Sequence, residues 1–408
     1  MTASCSTLMK TFNEPEVFAR VKRLPLYVFT ITDKLRDEAI ARGVDVVDFS
    51  MGNPDGATPA RVVERLRTAA AEPRLHRYLN PRGLPELRQA AARWWKRRYG
   101  VELDPDREVL ATIGSKEGIG HAILALLGEG EAILAPSPTY PIHAYAAIIG
   151  DAETIPVKVG AGVDFFESLV EATEKSERRP RGLVVNFPGN PTAAVATPEL
   201  FEKIVRFAEA RDLFIVSDLA YSDLVFEGRA PAMLTVPGAR ERTIEFMSLS
   251  KSYNMPGWRV GFAAGAPALV AAAARVKSYL DYGLFGAVQM AAVTALDECD
   301  DDVAAIREKY RRRRDALVRH FGASGWAVPS PAASMFAWAP IPDAFRHLGS
   351  LEFAKRLIDE AGVCVAPGIG FGQAGDGHVR LALLVDEPRI VMAAERIAAF
   401  LKKGPGRG

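Results

Sequence analysis

The middle of this chain alternates short apolar runs with longer amphipathic stretches, and this pattern restricts the folds open to it. Strand-length apolar runs occur at 131–135, 182–186, 213–217 and 243–248, and the stretch 200–211 has helical periodicity. Strands that alternate with helices predict a mostly parallel sheet covered by helices on both faces. Polar and Gly/Pro residues follow the strands, at the carboxyl edge where such sheets bind ligands.

The last third of the chain shows a different pattern. Its periodicity predicts a long charged helix over 300–321, short strands over 335–338 and 378–383, and helices over 351–360 and 389–402. Short strands mixed with helices predict a second, smaller α+β domain. A chain of 408 residues is also longer than a single core usually supports, which agrees with two domains.

We therefore predict an α/β fold with two domains. The larger has a mostly parallel sheet in an α/β/α sandwich and is expected over 51–290; the smaller α+β domain is expected over 291–408. Residues 1–50 are expected to form an N-terminal arm, with one helix over 33–42, and part of the small domain.

The charge balance excludes several classes of partner. The formal net charge is only +1, so nothing indicates binding to nucleic acid or to an anionic membrane. The basic run at 309–314 is flanked by acidic and apolar residues at helical spacing, and we interpret it as a solvated helix face. No apolar run reaches the ~18 residues that span a bilayer, and the N-terminus lacks the apolar region of a secretory signal.

The three cysteines, Cys5, Cys299 and Cys364, are odd in number and far apart, so a disulfide framework is not expected. The six histidines form no pair at the spacing of metal ligands, so no metal site is predicted. Cysteines without disulfides fit a reducing compartment, and the cytoplasm is the expected location.

The first candidate site follows the run at 243–248. Lys251 lies there among small hydroxyl residues, after Ser248 and Ser250 and before Arg259. A lysine attacks carbonyls only as the neutral amine, and burial or nearby positive charge lowers its pKa towards that form. Hydroxyl donors and an arginine fork suit a phosphate group. On this segment alone, a solvated lysine in a surface loop stays open as an alternative.

Polar residues also follow the two preceding strands. Asp218, directly after the run at 213–217, could keep a pyridine nitrogen protonated, which makes the ring an electron sink. Tyr221 and Asn190 could each donate a hydrogen bond to a ring phenolate oxygen. Taken singly, Asp218 could also be a helix N-cap, and the Asn-Pro sequence at 190–191 could be only a turn.

Further candidates lie near an apolar helix and in the last third. Ser115 and Lys116, after Gly114, begin a helix whose first N–H groups could bind an anion. Tyr140 could stack on a planar cofactor. Arg380, in an apolar strand pattern, needs an anionic partner such as a substrate carboxylate. A plain N-cap, a core aromatic and a structural salt bridge are the respective alternatives.

Together these segments resemble the fold-type I, class I/II aminotransferases that depend on pyridoxal 5′-phosphate (PLP). The resemblance implies an aspartate-aminotransferase-like fold whose large domain binds PLP. The motifs that carry it are Asn190-Pro-Thr192, Asp218-x-x-Tyr221, Ser248-x-Ser-Lys251, Arg259 and Arg380. Within the family the chain is most similar to the bacterial glutamate–pyruvate (alanine) aminotransferases, in the stretches 23–29, 48–59, 114–118, 140–143, 334–338 and 367–372.

The resemblance also implies roles for individual residues. Lys251 would carry PLP as a Schiff base and act as general base, and Asp218 and Tyr221 would complete the catalytic group. Tyr78 would reach the phosphate in a neighbouring subunit, which implies a homodimer with shared sites. The remaining cofactor-binding residues would be Ser115, Lys116, Tyr140, Asn190, Ser248, Ser250 and Arg259. The substrate-binding residues would be Arg380, Asn190, Tyr27 and, through its backbone, Gly52.

The implied reaction is the PLP-dependent transfer of an amino group from L-alanine to 2-oxoglutarate, giving pyruvate and L-glutamate in a ping-pong sequence. The alternatives are transamination of LL-diaminopimelate or of many amino acids, a PLP-dependent β-lyase or decarboxylase on the same fold, and a PLP-sensing regulator. LL-diaminopimelate aminotransferases share the stretch 114–118. The chain departs from the family in two places: Ala193 replaces the glycine after Asn-Pro-Thr, and 281–286 lacks the second arginine that aspartate aminotransferases use for a distal carboxylate.

Overall fold

A seven-stranded sheet forms the centre of the larger part of this computed structural model, which describes residues 18–25 and 27–404. The strands are β1 (Val47–Asp48), β2 (Val109–Thr112), β3 (Ala132–Ser137), β4 (Glu153–Lys158), β5 (Pro180–Asn186), β6 (Phe214–Asp218), β7 (Thr243–Ser248), β8 (Gly261–Gly265), β9 (Phe336–Pro340), β10 (Val363–Cys364), β11 (Ala366–Pro367) and β12 (His378–Ala382).

Helices surround the strands. The α-helices are α1 (Ala19–Lys22), α2 (Val28–Ala41), α3 (Ala60–Ala69), α4 (Pro85–Tyr99), α5 (Gly114–Leu126), α6 (Pro141–Ile149), α7 (Phe165–Lys175), α8 (Pro198–Arg211), α9 (Leu249–Ser252), α10 (Pro267–Leu280), α11 (Gly286–Glu298), α12 (Asp300–Ala323), α13 (Gly349–Ala361) and α14 (Glu387–Lys403). Short 3₁₀ helices lie at Pro73–His76, Met233–Thr235, Pro256–Trp258, Asp343–Leu348, Gly368–Phe371 and Gln373–Gly375.

The large sheet has the strand order β2-β8-β7-β6-β5-β3-β4, and only the pairs made by β8 are antiparallel. Successive side chains face opposite sides, so that Val184 shares a buried cluster with helices α5, α6 and α10, and Val185 with α7 and α8. Parallel strands covered on both faces have continuous apolar sequences. The predicted α/β class, with a mostly parallel sheet between helices, is confirmed.

A second, antiparallel sheet has the order β11-β12-β9. Near it, β1 pairs in parallel with β10, so a segment close to the N-terminus joins the C-terminal third. Helices α12, α13 and α14 pack around a core that includes Tyr310, Phe353 and Phe400. The domain limits at residues 50 and 290 stay a prediction.

Most predicted elements lie where the sequence pattern put them. The predicted strand over 243–248 coincides with β7, and the helix predicted over 300–321 is α12. The helix predicted over 33–42 begins earlier, at Val28. Cys5 lies outside the described residues, whereas Cys299 and Cys364 are buried free thiols. Among the residues described, no helix is both long enough and apolar enough to cross a membrane.

The solvated-face interpretation of the basic run 309–314 is wrong for part of it. Tyr310 and Arg313 are buried, and the guanidinium of Arg313 bonds the carboxylates of Asp55 and Asp386. Helical periodicity predicted the helix. The burial of Arg313 was not predictable from its neighbours in the sequence, because its partner Asp55 is 258 residues away.

Candidate active site

A cavity of about 420 Å³ lies at the carboxyl ends of β5, β6 and β7, within the size range of small-molecule sites. Both sheets contribute to its lining, because Phe336 and Arg380 come from β9 and β12. Of the residues predicted for the site, those that line the cavity are Tyr27, Gly52, Ser115, Lys116, Tyr140, Asn190, Asp218, Tyr221, Ser248, Ser250, Lys251, Arg259 and Arg380.

The amine of Lys251 points into this cavity from the single turn α9, which follows β7. Its Nζ donates a hydrogen bond to the carbonyl oxygen of Gly52 at 2.7 Å. Burial, reinforced by the positive charges of Arg380 and Arg259, lowers the pKa of Lys251 to about 7. A substantial share of the amine is therefore neutral near neutral pH, which a solvated surface lysine would not be.

Asp218 is the last residue of β6, and its carboxylate is held from two sides. Oδ1 accepts a hydrogen bond from the backbone N–H of Ala220 at 3.1 Å, and Oδ2 lies 2.9 Å from Nε2 of His143. Nδ1 of His143 lies 2.7 Å from the hydroxyl of Thr139. Sequence reasoning gave His143 no role, although a histidine in the otherwise apolar helix α6 was an available signal.

Arg380 is buried and makes contacts suited to a second ligand. Nη2 donates to the carbonyl oxygen of Ser50 at 2.8 Å, and Nη1 donates to Oδ1 of Asn190 at 3.0 Å. Its guanidinium lies over the ring of Phe336, 4.0 Å from the centroid. Burial lowers the pKa of Arg380 to about 10, and the group stays cationic at neutral pH. Phe336 was not among the predicted site residues.

Asn190 and Tyr221 meet at the cavity wall, where Nδ2 of Asn190 lies 3.4 Å from the phenol oxygen of Tyr221. Asn186, at the end of β5, contacts both the loop that follows β5 and the end of the neighbouring strand β6. Its Oδ1 accepts from the N–H of Asn190 at 2.9 Å, and its Nδ2 donates to the carbonyl oxygen of Asp218 at 3.0 Å. Asn190 is therefore more than a turn residue. Burial raises the pKa of Tyr221 well above its usual value, so the phenol keeps its proton.

The start of α5 and the residue Arg259 form a positively polarised turn. Gly114 has the left-handed φ of 74°, and a Cβ added to it would lie 2.7 Å from Nη2 of Arg259. That same Nη2 donates to the carbonyl oxygen of Ile113 at 3.3 Å. The carboxylate of Glu117 accepts from the N–H of Ile113 at 2.6 Å. The start of α5, which includes Ser115, therefore lies beside a guanidinium, and the N–H groups at a helix N-terminus favour an anion.

Tyr140 and Tyr27 flank the ammonium of Lys116, whose Nζ lies 5.6 Å and 5.7 Å from the two ring centroids. Burial raises the pKa of both phenols, so the rings stay neutral. This arrangement places two flat rings and one cation along the same wall of the cavity.

Tyr78 does not line the cavity within its own chain. Its side chain is 91% exposed and packs edge-on against Tyr282, with ring centroids 5.3 Å apart. Further exposed large side chains lie close to Tyr282 in the sequence, at the end of α10 and in the connection to α11: Tyr279, Leu280 and Phe285. The predicted contact of Tyr78 with a neighbouring subunit stays a prediction.

Comparison with known proteins identifies the family. The family described as aminotransferase class I and II matches residues 44–397. The chain belongs to the class I and II aminotransferases. It is 50% identical over 386 residues to the glutamate-pyruvate aminotransferase AlaC of Escherichia coli (strain K12), a match that covers 94% of both chains.

Two further aminotransferases support this assignment. The LL-diaminopimelate aminotransferase of Moorella thermoacetica is 40% identical over 385 residues, which covers 94% of this chain and 98% of the relative. A solved structure of a Thermus thermophilus aspartate aminotransferase double mutant has a TM-score of 0.86 at 30% identity, covering 94% of this chain and 98% of that chain. The predicted aspartate-aminotransferase-like fold is confirmed.

Class I and II aminotransferases depend on PLP, and the residues of this cavity fit that cofactor. The amine of Lys251, with its lowered pKa, can react with an aldehyde. The turn at Gly114, beside Arg259, can hold a phosphate. Asp218, backed by His143, offers a carboxylate to a pyridine nitrogen.

Proposed function

We propose that this aminotransferase moves an amino group from L-alanine to 2-oxoglutarate, forming pyruvate and L-glutamate. The similarity to the glutamate-pyruvate aminotransferase of Escherichia coli, at 50% identity over 94% of both chains, carries this proposal. The buried guanidinium of Arg380, at the cavity wall, supports it because it can take an α-carboxylate through a bidentate fork.

Each of four cavity residues is proposed to have its own role in the reaction. PLP, when bound, supplies a protonated ring that withdraws electrons from the substrate Cα. Lys251 would hold the cofactor, and its amine would act as the general base that takes the proton from the substrate Cα. Asp218, which His143 contacts, would keep the proton on the ring nitrogen. Asn190 and Tyr221, which lie 3.4 Å apart at the cavity wall, would donate to the ring oxygen.

The remaining residues bind and orient. Tyr140 lines the cavity and would cover one face of the ring, and Gly52 would offer its backbone to the substrate carboxylate beside Arg380. The phosphate would be held by residues at the same cavity wall: Ser115, Lys116, Ser248, Ser250 and Arg259.

The far carboxylate of glutamate needs a cation, and the stretch 281–286 has no arginine to supply one. Lys116 is the proposed cation, because its ammonium lines the cavity between the rings of Tyr27 and Tyr140. Aromatic faces stabilise an ammonium in such a place without neutralising it. Its side chain would then serve the substrate, in addition to the phosphate-binding role of its backbone.

A second candidate donor is LL-diaminopimelate. Asp33, on α2, also lines the cavity, and its carboxylate pairs with Arg36 at 2.8 Å. A donor with both an ammonium and a carboxylate at its far end could use Asp33 and Lys116 together. The 40% identity to the Moorella thermoacetica enzyme also favours this candidate.

The assembly and location belong to the same proposal. A homodimer is proposed in which Tyr78 of each chain completes the neighbouring site, supported by the exposure of Tyr78 and Tyr282. A cytoplasmic location is proposed because Cys299 and Cys364 are free thiols. The large domain is proposed to span 51–290 and the small one 291–408, with 1–50 as the N-terminal arm and part of the small domain.

Two assays test the reaction. With L-alanine and no oxo acid, the holoenzyme should release one pyruvate per site and stop, whereas continued release of ammonia would indicate a lyase. With 2-oxoglutarate fixed, a panel of donors should give the highest kcat/KM for L-alanine. A higher value for LL-diaminopimelate would replace the alanine assignment by the second candidate.

A further inference from the structure

The loop between β1 and α3 contacts two of the cations that line the site, Arg380 and Lys251. The carbonyl oxygen of Ser50 accepts from Nη2 of Arg380 at 2.8 Å, and that of Gly52 accepts from Nζ of Lys251 at 2.7 Å. Met51 and Asn53, from the same loop, line the cavity. The position of this loop therefore helps to decide where both cations point.

Uncharged hydrogen bonds fix the two ends of the loop. At its start, the N–H of Ala382 donates to the carbonyl oxygen of Phe49 at 2.8 Å, which ties the loop to β12. At its end, the hydroxyl of Thr58 donates to the carbonyl oxygen of Asn254 at 2.7 Å, close to Lys251 in the sequence. Between these two ends the loop contains Gly52. The loop also contains Asp55, which forms ion pairs with Arg313 and Lys309.

Asp55 is held by two cations from the long helix α12. Arg313 donates to both carboxylate oxygens, with Nη1–Oδ1 and Nη2–Oδ2 distances of 2.8 Å, and Lys309 lies 2.9 Å from Oδ2. Partial burial alone would raise the pKa of Asp55. The hydrogen bonds and positive charges of Arg313 and Lys309 outweigh that effect and hold the pKa well below its usual range. The bidentate geometry fixes orientation as well as distance.

Arg313 also contacts the strand that carries Arg380. Its Nη1 lies 3.5 Å from the carbonyl oxygen of Leu383, just beyond the end of β12, and its Nη2 pairs with Asp386. The side chain of Arg313 is only 6% exposed. A buried guanidinium needs its partners, so Asp55 and Leu383 are held at a fixed separation by one side chain.

We propose that Asp55 and Arg313 are positioning residues for the substrate, because they hold the loop 50–58 against the strand that carries Arg380. The inference rests on the proposed role of Arg380 as the α-carboxylate ligand. Loss of the Asp55–Arg313 ion pair should therefore weaken substrate binding. Phosphate binding should be spared, because Ser115 and Arg259 lie on other elements, at the start of α5 and before β8.

The test compares Asp55→Asn with two matched controls in the holoenzyme. Asp386→Asn removes the other, 75% exposed, carboxylate from the same arginine, and Arg311→Ala removes an exposed cation that pairs with Glu308 on the same helix. Asp55→Asn should raise KM for both L-alanine and 2-oxoglutarate about tenfold, as expected for the loss of one charged hydrogen-bonded pair. Its kcat should change less than KM, because Lys251 is also positioned by its own turn α9. Its Kd for PLP in titrations of the apoenzyme, and the KM values of both controls, should stay within about twofold of wild type.

Other outcomes overturn the inference. An unchanged KM in Asp55→Asn, or a rise in KM of the same size in Asp386→Asn, would show that the Asp55–Arg313 ion pair does not position the substrate. Should Asp55→Asn not fold, Asp55→Glu keeps the charge but moves the loop, and an unchanged KM there has the same meaning. Arg380→Lys is measured in parallel: a normal KM in that variant refutes the proposed carboxylate ligand itself, whereas a raised KM there with a normal KM in Asp55→Asn refutes only the positioning role.

Discussion

Nε2 of His143 lies 2.9 Å from the carboxylate of Asp218, and both side chains are buried. The hydroxyl of Thr139 lies 2.7 Å from the other ring nitrogen. In the tautomer in which Thr139 donates to Nδ1, Nε2–H donates to Asp218 and fixes the carboxylate that faces the cavity. The three side chains thus join helix α6 to the end of β6 behind the site.

Replacement of His143 by leucine removes this donor and leaves Asp218 poorly oriented. We expect kcat with L-alanine to fall about ten- to a hundredfold, as for residues that orient metal ligands from behind. KM should change less, because His143 does not line the cavity. Steady-state kinetics of His143→Leu provide the measurement. Thr139→Val should have a smaller effect in the same direction, and an unaltered kcat in His143→Leu would contradict the role.

The amine of Lys251 should titrate near neutral pH in the enzyme freed of PLP. Burial and the charges of Arg380 and Arg259 lower its pKa to about 7, so about a tenth is neutral at pH 6 and about nine-tenths at pH 8. Only the neutral amine attacks an aldehyde. The rate of PLP capture, followed by absorbance, should therefore rise from pH 6 to 8 and then level off. Arg380→Met removes one of the charges and should move the midpoint upward; a flat profile would contradict the assignment.

Lys116→Met tests how the enzyme holds glutamate. The substitution keeps the length of the side chain but removes the ammonium between Tyr27 and Tyr140. KM for 2-oxoglutarate should rise about tenfold, the loss typical of one charged contact, while KM for pyruvate in the reverse reaction should stay near normal. Parallel rises for both oxo acids would show that Lys116 serves the cofactor rather than the distal carboxylate.

Gly52 is expected to tolerate no side chain. A Cβ added there would lie 2.6 Å from Cζ of the buried Phe336, whose ring lies under Arg380. Overpacking of this kind costs about 1–3 kcal/mol, and because the displaced ring supports Arg380, the cost should appear as a raised KM for L-alanine. Gly322→Ala, on α12 with no atom near the added methyl, is the control. A wild-type KM in Gly52→Ala would mean that Phe336 moves without disturbing Arg380.

The sequence predicted those parts of the fold whose signal is local. The strand β7 is buried along its whole length and has a mainly apolar centre at Ile244, Phe246 and Met247, so its bounds were recognisable. By contrast β8, with the sequence Gly-Phe-Ala-Ala-Gly, has little intrinsic strand preference and is formed because β2 and β7 pair with both its edges. The roles of His143 and Arg313 were missed for a related reason: their partners, Asp218 and Asp55, are distant in the sequence and adjacent only in the folded chain.

The site residues were predictable because of where they lie along the chain. Asp218 ends a parallel strand and Asn190 and Lys251 each follow one, and the topology brings these strand ends to one edge. Arg380 comes from another sheet, and only the resemblance to a known family linked it to them. The proposed site of Tyr78 belongs to a neighbouring subunit, so the structure of one chain does not contain its proposed contact.

A subunit-mixing experiment tests the proposed sharing of sites between chains. In the proposed dimer, each site takes Lys251 from one chain and Tyr78 from the other. Lys251→Ala and Tyr78→Ala homodimers should both be impaired, the first far more than the second. A mixed dimer carries both changes in one site and leaves the other site intact. Equal mixing should therefore restore about a quarter of all sites, since half of the dimers are mixed.

The control mixture combines Lys251→Ala with Asp218→Asn. Both residues line the cavity of the same chain, so no mixed dimer of these two variants contains an intact site. Activity that recovers with Tyr78→Ala but not with Asp218→Asn would establish that Tyr78 serves its neighbour. If Tyr78 acted within its own chain, neither mixture would recover, because each site of the mixed dimer would lack one of the two residues. The exposed position of Tyr78 against the exposed Tyr282 favours the first outcome, since aromatic residues are enriched at surfaces that a second chain covers.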